Sequence, residues 1–338
     1  MSGYYYRQLN GEERAVYDGL YDGFTALAPA VRVRRLTPER LTDVFTVLRL
    51  DEPLLFYVPA FSWRAEARAD HAEVLPRYLF DKGKIREQQL SLAARLRRVA
   101  APLAGLDDWE KARAVHDFIL ENVRYDKLKK AYSHEIIGPL GQGVGVCEGM
   151  AKTVKALCDA AELPCIVALC RAAPEAGIRY RHTWNLVQVG GRWYHMDATF
   201  DNSLHSDGPR YDYFGLDDGH IFRDHQTPVY PLPACTDAAG SYYRREKLSL
   251  TKPEEVEDRV RQALRKKKET YVFHWRGGGL NQSLLTELAE RCDRAAERQR
   301  FVTYSVNLSQ AVFQLHFQAQ PPAEQGVTVQ EPDEERED

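Results

Sequence analysis

The spacing of apolar positions predicts a helix at the centre of the chain. From residue 147 onward, apolar residues recur every three or four positions, which is typical of one buried helical face. The stretch before it, residues 141–145, contains three glycines and predicts a loop. We therefore expect Cys147 in the first turn, pointing inward. The apolar positions of this face are Cys147, Met150, Ala151, Val154, Leu157, Cys158 and Ala161.

Two β-rich runs after this helix predict a hairpin. They cover residues 182–189 and 192–200, and Gly190 and Gly191 join them. Two adjacent glycines accept the positive φ angles of a type I′ turn, in which Val189 faces Arg192 and Trp184 faces Asp197. His182 is then the diagonal neighbour of Asp197 on the same face of the sheet. The hairpin alone brings an imidazole and a carboxylate within reach of each other.

The remaining patterns predict an α+β protein of four parts. The division is an N-terminal α+β domain at 1–104, a core at 105–232, a C-terminal α+β domain at 233–320 and a disordered acidic tail at 321–338. The triple glycine at 277–279 is interpreted as a flexible connector, because no Lys-Ser/Thr follows it as in a phosphate loop. Helices are predicted at 41–48, 81–100, 107–125, 251–268 and 280–299, and strands at 54–58, 271–275, 301–306 and 311–317.

Charge and composition exclude several classes of function. A net charge of −3 gives no general attraction to nucleic acid or to an anionic membrane surface. No apolar run approaches the ~20 residues that span a bilayer, and the first residues lack the features of a secretory signal, so we expect a cytoplasmic protein. The six cysteines form no C-x-x-C pair and no Cys/His spacing of a zinc site. We predict neither a metal nor a cofactor.

A cysteine at a helix start, followed by a hairpin with His and Asp on one face, is the arrangement that thiol acyl transfer requires. Unpaired N–H groups and the positive end of the helix dipole favour a thiolate at Cys147. His182 is expected to move the proton and Asp197 to orient the ring, with Asp201 as the fallback. Gln142 is the candidate for an oxyanion donor besides the backbone N–H of Cys147. His116, within a predicted helix, is interpreted as structural.

Three motifs resemble the transglutaminase-like superfamily, particularly its bacterial members. They are residues 145–152, 181–185 and 192–201, and residues 211–214 resemble the strand that closes the core of that family. The resemblance implies a papain-like α+β fold with a Cys147-His182-Asp197 triad. Three positions depart from the family pattern without touching the triad. Met150 stands where Tyr is usual, Phe200 where Trp is frequent, and Asn202 where a second carboxylate is common.

The resemblance leaves the reaction open. Superfamily members include cross-linkers, proteases, deamidases, peptide N-glycanases and inactive scaffolds, so the predicted partner is a protein or peptide substrate. An amine can replace water as acceptor only in an apolar, water-excluding tunnel, for which Trp184, Trp193 and Tyr194 are the candidate substrate-binding residues. The same aromatics suit a core equally well. We expect hydrolysis rather than cross-linking, and the alternative is a catalytically weak or inactive scaffold that binds protein.

Overall fold

The protein combines helices with antiparallel and mixed sheets, which confirms the predicted α+β class. No helix in the described part of the chain is both long enough and apolar enough to cross a membrane. The computed structural model describes residues 3–66, 68–172, 181–205, 208–296, 300–320, 327–330 and 332.

The N-terminal part packs three helices around a three-stranded sheet. The strands are antiparallel in the order β1-β3-β2. The second helix begins at Thr37, whose side chain accepts a hydrogen bond from the backbone of Arg40, and Pro38 occupies its first turn. The elements are α1 (Gly11–Thr25), β1 (Val31–Arg34), α2 (Pro38–Asp51), β2 (Ala60–Arg64), β3 (His71–Arg77) and α3 (Lys82–Ala100).

The predicted strand at 54–58 is wrong. Residues Pro53–Leu55 form a 3-10 turn directly after α2, and the chain continues irregularly to β2. Phe56, Tyr57 and Val58 are buried in the core without belonging to a sheet. A short apolar run reports burial, which a packed turn satisfies as well as a strand does.

The middle of the chain forms a four-stranded antiparallel sheet, in the order β6-β7-β8-β9, with a central helix packed on it. Asn185 on β7 donates a hydrogen bond to the carbonyl oxygen of Ala151, at 2.9 Å, and so joins the sheet to that helix. The elements are α4 (Asp108–Asn122), β4 (Arg124–Tyr125), β5 (Val144–Gly145), α5 (Cys147–Ala160), β6 (Cys165–Leu169), β7 (Thr183–Val189), β8 (Arg192–Met196), α6 (Ala198–Ser203), β9 (Phe214–Leu216) and α7 (Asp218–Ile221).

The hairpin of β7 and β8 has the predicted register. Val189 pairs with Arg192 and Asn185 pairs with Met196, so the next position of each strand brings Trp184 opposite Asp197. The two turn glycines, residues 190 and 191, have φ angles of 56° and 78°, as a type I′ turn requires. Of residues 211–214, predicted as the closing strand, only Phe214 lies in a strand, because β9 starts there and pairs with β8.

The C-terminal part has its own hydrophobic cluster and a five-stranded sheet, in the order β10-β11-β13-β12-β14. The cluster around α5, by contrast, also contains residues from the N-terminal helices. The predicted domain boundaries stay a prediction. The C-terminal elements are α8 (Tyr242–Arg245), β10 (Ser249–Leu250), α9 (Pro253–Arg265), β11 (Thr270–Trp275), α10 (Gln282–Ala296), β12 (Phe301–Asn307), β13 (Val312–Gln318) and β14 (Val327–Val329).

The predicted disordered tail is wrong for residues 327–329. This Val-Thr-Val segment forms β14 and pairs in parallel with β12. Its β-branched residues suit a strand. The prediction of disorder followed the acidic composition of the surrounding tail instead. Residues 321–326, 331 and 333–338 of that predicted tail lie outside the described residues.

Candidate active site

Cys147 is the first residue of α5, as predicted. Val146 precedes it in an extended conformation and gives the helix no side-chain cap. Cys147 is only 3% exposed, and α5 is buried on almost every side along its first three turns. The thiol therefore lies at the positive end of a helix, which favours the thiolate, whereas its burial disfavours the charged form.

His182 and Asp197 are in direct contact. The Nε2 atom of His182 lies 2.5 Å from Oδ2 of Asp197. Asp197 also caps α6, because its Oδ1 accepts hydrogen bonds from the backbone N–H groups of Thr199 at 2.8 Å and Phe200 at 3.0 Å. The start of α6 therefore holds this carboxylate in place independently of the histidine.

Three contacts join the start of α5 to the ends of the hairpin. Arg181, next to His182, lies 3.4 Å from the carboxylate of Glu148, next to Cys147. Thr199, two residues after Asp197, has its hydroxyl 3.6 Å from the sulfur of Met150, one helical turn after Cys147. The third contact is the Asn185–Ala151 hydrogen bond between β7 and α5. Residues within four positions of each predicted triad residue are therefore in contact.

A second histidine, which sequence reasoning missed, binds the same carboxylate. Nε2 of His225 lies 2.8 Å from Oδ2 of Asp197, and Nδ1 lies 2.8 Å from Oδ1 of Asp224. The ring is fully buried. Burial opposes its charge, but the hydrogen bonds to Asp197 and Asp224 prevail and raise the pKa of His225 to about 9. His225 is therefore a buried imidazolium at neutral pH.

Asp197 is ionised because of these partners. Complete burial opposes its charge, yet the attraction of His182 and the hydrogen bonds from His182 and His225 hold the pKa of the carboxyl well below its usual range. An ionised carboxylate only accepts hydrogen bonds, so Nε2 of each histidine carries the proton that it shares with Asp197. For His182 this leaves Nδ1 as the nitrogen that can exchange a proton with a third group.

Glu148 belongs to a buried ionic network rather than to the reacting groups. Lys152 lies 2.8 Å from its carboxylate, and Arg49 of α2 and Arg181 each lie 3.4 Å away. Burial opposes ionisation, but Lys152, followed by His134 and the two arginines, holds the pKa of Glu148 well below its ordinary value. The negative charge next to Cys147 is therefore balanced, and the same network ties the N-terminal part to α5.

The three aromatic candidates for substrate binding lie in different surroundings. Trp184 is 1% exposed and donates its indole N–H to His195 at 3.0 Å. Its ring stacks against His182, so it packs behind that histidine in the core. Tyr194 pairs with Val187, five positions from His182, or roughly 16 Å at about 3.3 Å per residue. Trp193 lies still nearer the turn. The hairpin therefore does not bring Trp193 and Tyr194 to His182.

The two remaining candidates, Gln142 and Asp201, also have different surroundings. Gln142 is exposed at the end of an irregular helical segment, five residues before Cys147, and its role as an oxyanion donor stays a prediction. Asp201, the fallback orienter, binds Nε2 of His116 at 2.9 Å and two backbone N–H groups. His116 is completely buried. The described contacts thus assign Asp201 to His116 and Asp197 to His182.

Two groups of side chains within the described residues have the spacing of metal ligands. They are His182, Asp197 and His225, and His195, Asp218 and Cys235. In the first, both histidines already donate to the carboxylate. In the second, Trp184 donates to Nδ1 of His195, so Nε2 carries the proton that it shares with Asp218 at 2.9 Å. A metal on either group would have to replace these protons, so hydrogen bonding accounts for both groups better than metal binding does.

Comparison with known proteins identifies the core. Residues 92–198 match the family model of the transglutaminase-like superfamily, and no curated protein is significantly similar to the chain. Similar solved structures include a proposed cysteine protease from Cytophaga hutchinsonii, with 17% identity over 41% of this chain and 61% of that one, at a TM-score of 0.27. Another, described as a TGase, has 11% identity over 50% of each chain, also at 0.27.

A third similar structure is a proposed protease from Parabacteroides distasonis, with 17% identity over 41% of this chain and 36% of that one, at a TM-score of 0.24. The aligned regions span less than two thirds of each of these proteins. The matched stretch contains α4, α5, β6, β7, β8 and the start of α6, and so includes Cys147, His182 and Asp197. By this match, the part of the chain at residues 92–198 is similar to the transglutaminase-like superfamily.

Proposed function

We propose that this protein is a cysteine enzyme that cleaves amide bonds of protein or peptide substrates with a Cys147-His182-Asp197 triad. The observation that carries the proposal is the 2.5 Å contact between His182 and an Asp197 carboxylate that helix α6 holds in place, beside the start of α5. A His–Asp pair fixed in this way orients an imidazole for proton transfer. The cysteine at the adjacent helix N-terminus supplies the nucleophile.

In the proposed reaction, the sulfur of Cys147 attacks the amide carbon after its proton has passed to Nδ1 of His182. The tetrahedral oxyanion is stabilised by the first turn of α5, with Gln142 as the second donor. Collapse breaks the C–N bond, and the leaving amine takes the proton from His182. Water then gives a proton to His182 and attacks the thioester, which releases a carboxylic acid and restores the thiol. Asp197 stays ionised throughout and holds the ring.

Hydrolysis is the proposed outcome rather than cross-linking. Transfer to an amine requires an apolar channel that excludes water from the thioester. Of the aromatic residues predicted to build such a channel, Trp184 is buried behind His182, and Trp193 and Tyr194 lie towards the far end of the hairpin. The described residues of the hairpin therefore give no support to an amine channel.

The test is mass spectrometry after treatment with an electrophilic peptide-like probe. We expect one modification, on Cys147, which disappears in Cys147→Ala and persists in the matched control Cys292→Ala, since Cys292 is a buried cysteine of the C-terminal part. Labelling of no cysteine, or of all six at similar rates, would contradict the proposed enzyme and favour a binding scaffold.

The acceptor is decided by a second measurement on the same variants. Purified protein is incubated with a glutamine-donor protein and a labelled primary amine, and amine incorporation is compared with release of ammonia or peptides. We expect release to exceed incorporation and both to require Cys147. Cys147-dependent incorporation well above release would make the protein a cross-linking enzyme.

A further inference from the structure

A cavity of about 590 Å³ lies between the core and the C-terminal sheet, away from Cys147. Its volume is within the range of small-molecule sites. Three arginines and two histidines line it, and none of the described residues that line it is acidic. The basic residues come from separate elements, namely His220 and Arg223 from α7 and the segment after it, Arg244 from α8, and His274 and Arg276 from the end of β11.

Two residues that line this cavity each have a buried hydrogen-bond donor without a partner among the described residues. Nε of Arg244 is buried without a hydrogen bond, and no described carboxylate forms an ion pair with this guanidinium. The indole N–H of Trp275 is also unpaired, although Trp275 is only 3% exposed. Buried donors are almost always satisfied in folded proteins. Both nitrogens are closed to solvent, so neither offers a hydrogen bond to a molecule in the cavity.

The electrostatic surroundings of His274 show how positive the cavity is. The pKa of His274 is lowered to about 4, mainly by burial. The neighbouring His220, Arg244 and Arg223 lower it further. His274 is therefore neutral at physiological pH, and its Nδ1 lies 2.9 Å from the hydroxyl of Ser249. Asp212 acts in the opposite direction on His274, and Asp217 pairs with His220.

The triple glycine predicted as a connector forms part of this wall. A Cβ on Gly277 would come 2.2 Å from the carbonyl oxygen of Thr251, so the close approach requires glycine there. Gly278, with a φ of 131°, and Gly279 line the cavity, and a Cβ on either would meet nothing within 4 Å. The backbone is therefore open to a ligand, and the cations come from other elements instead of a following lysine.

We propose that this cavity binds a small molecule carrying phosphate groups, held by Arg223, Arg244 and Arg276. Guanidinium groups bind phosphate oxygens in pairs, and three of them suit more than one negative charge better than a single carboxylate. This site is independent of the proposed amide cleavage, because it shares no residue with Cys147, His182 or Asp197.

The site is nevertheless connected to the triad. The side-chain amide of Gln310 donates to the carbonyl oxygen of His220 and to the carboxylate of Asp224, each at 3.2 Å. Asp224 in turn binds His225, the second histidine on Asp197. The segment after α7 thus lies between the cavity and the candidate active site.

The proposal is tested by isothermal titration calorimetry of the full chain with inorganic pyrophosphate and, separately, with citrate. We expect pyrophosphate to bind with one site per chain and at least tenfold more tightly than citrate. Arg244→Gln and the exposed Arg276→Gln should each weaken pyrophosphate binding about tenfold or more. Arg86→Gln, a change at an exposed arginine of α3, should leave it unchanged.

Circular dichroism melting curves establish that each variant is folded, and Arg276→Gln keeps the test valid if Arg244→Gln unfolds. Failure of millimolar pyrophosphate to bind, or equal binding by wild type and both cavity variants, would overturn the proposal. Tighter binding of citrate than of pyrophosphate would overturn its assignment to phosphate. None of these outcomes depends on cleavage of an amide.

Discussion

The core contains several histidine–aspartate contacts, and the comparison of two of them, His182–Asp197 and His116–Asp201, shows how a candidate catalytic pair differs from a sealed one. Nε2 of His182 lies 2.5 Å from Asp197, and Nε2 of His116 lies 2.9 Å from Asp201. Both aspartates are completely buried and both also accept backbone N–H groups. By the contact alone, the two pairs are equivalent.

The difference lies in what surrounds each pair. The side chain of His182 is 13% exposed and lies beside the start of α5, whereas His116 is sealed beneath Tyr211 and Phe214. Asp197 is held ionised by its two histidines. At Asp201, burial outweighs the hydrogen bond from His116 and raises the pKa to about 7. Of these two pairs, only His182–Asp197 combines access with an ionised carboxylate.

The largest expected effect comes from removing each histidine in turn. His182→Ala should slow the labelling of Cys147 by the peptide-like probe about 10²–10⁴-fold, the range for loss of a general base. His116→Ala should leave labelling within tenfold of wild type but lower the denaturant midpoint, because it leaves the buried Asp201 without its partner. Labelling rates and urea unfolding are measured on both variants. If folded His116→Ala lost as much labelling of Cys147 as His182→Ala does, the distinction between the two pairs would be wrong.

The second prediction concerns Cys147, the thiol at the start of α5. Cys147 should react with iodoacetamide at mildly acidic pH, since a thiol paired with imidazolium has a pKa of ~3.5–7.5 against ~8.5 when free. Burial is a main cause that raises the pKa of Cys158, Cys170, Cys235 and Cys292. Site-resolved labelling between pH 5 and 9 should show Cys147 reacting first. Similar rates at every cysteine, rising only above about pH 8, would argue against an activated thiol.

The part of the site that sequence reasoning found depends on local signals. The register of β7 and β8 follows from two turn glycines and from alternation, and both act over a few residues. The position of Cys147 follows from helical periodicity after a glycine-rich loop. The contact between His182 and Asp197 could therefore be predicted without knowing where any other element lies.

The parts that it missed depend on long-range packing. His225 lies 28 residues after Asp197, in an irregular segment without periodicity, and only the adjacent Asp224 gave a weak signal. Alternation correctly gave the face of the hairpin, but it gives no distance along the strand, so Trp193 and Tyr194 appeared closer to the site than they are. Residues 54–58 show the same limit, since apolar character reports burial and not the element that is buried.

The third prediction asks whether His225 adds anything to the first pair. His225→Ala removes a charged hydrogen bond to Asp197, and interactions of that kind contribute ~1.5–3 kcal/mol, so labelling of Cys147 should fall about tenfold to a hundredfold. His225→Gln keeps an N–H donor and should recover part of the loss. A purely structural role would instead lower stability in both variants while leaving the labelling rate of the folded protein unchanged. Rates are measured below the unfolding transition of each variant.

The smallest expected effect is on the pH dependence of stability, where the two aspartates should differ. Asp201 has a folded pKa of about 7, above its unfolded value of ~3.9, so its contribution is complete below about pH 4 and is lost as the pH rises towards 7. The pKa of Asp197 is lowered on folding, so its contribution is present above about pH 4 and is lost only as the pH falls below that value. Between pH 4.5 and 6.5, the stability difference between wild type and Asp201→Asn should therefore shrink with rising pH. Urea unfolding at half-unit pH steps measures it. A difference that stays level or grows over this range would show that the pKa of Asp201 is not raised, and the electrostatic part of the comparison would then be wrong.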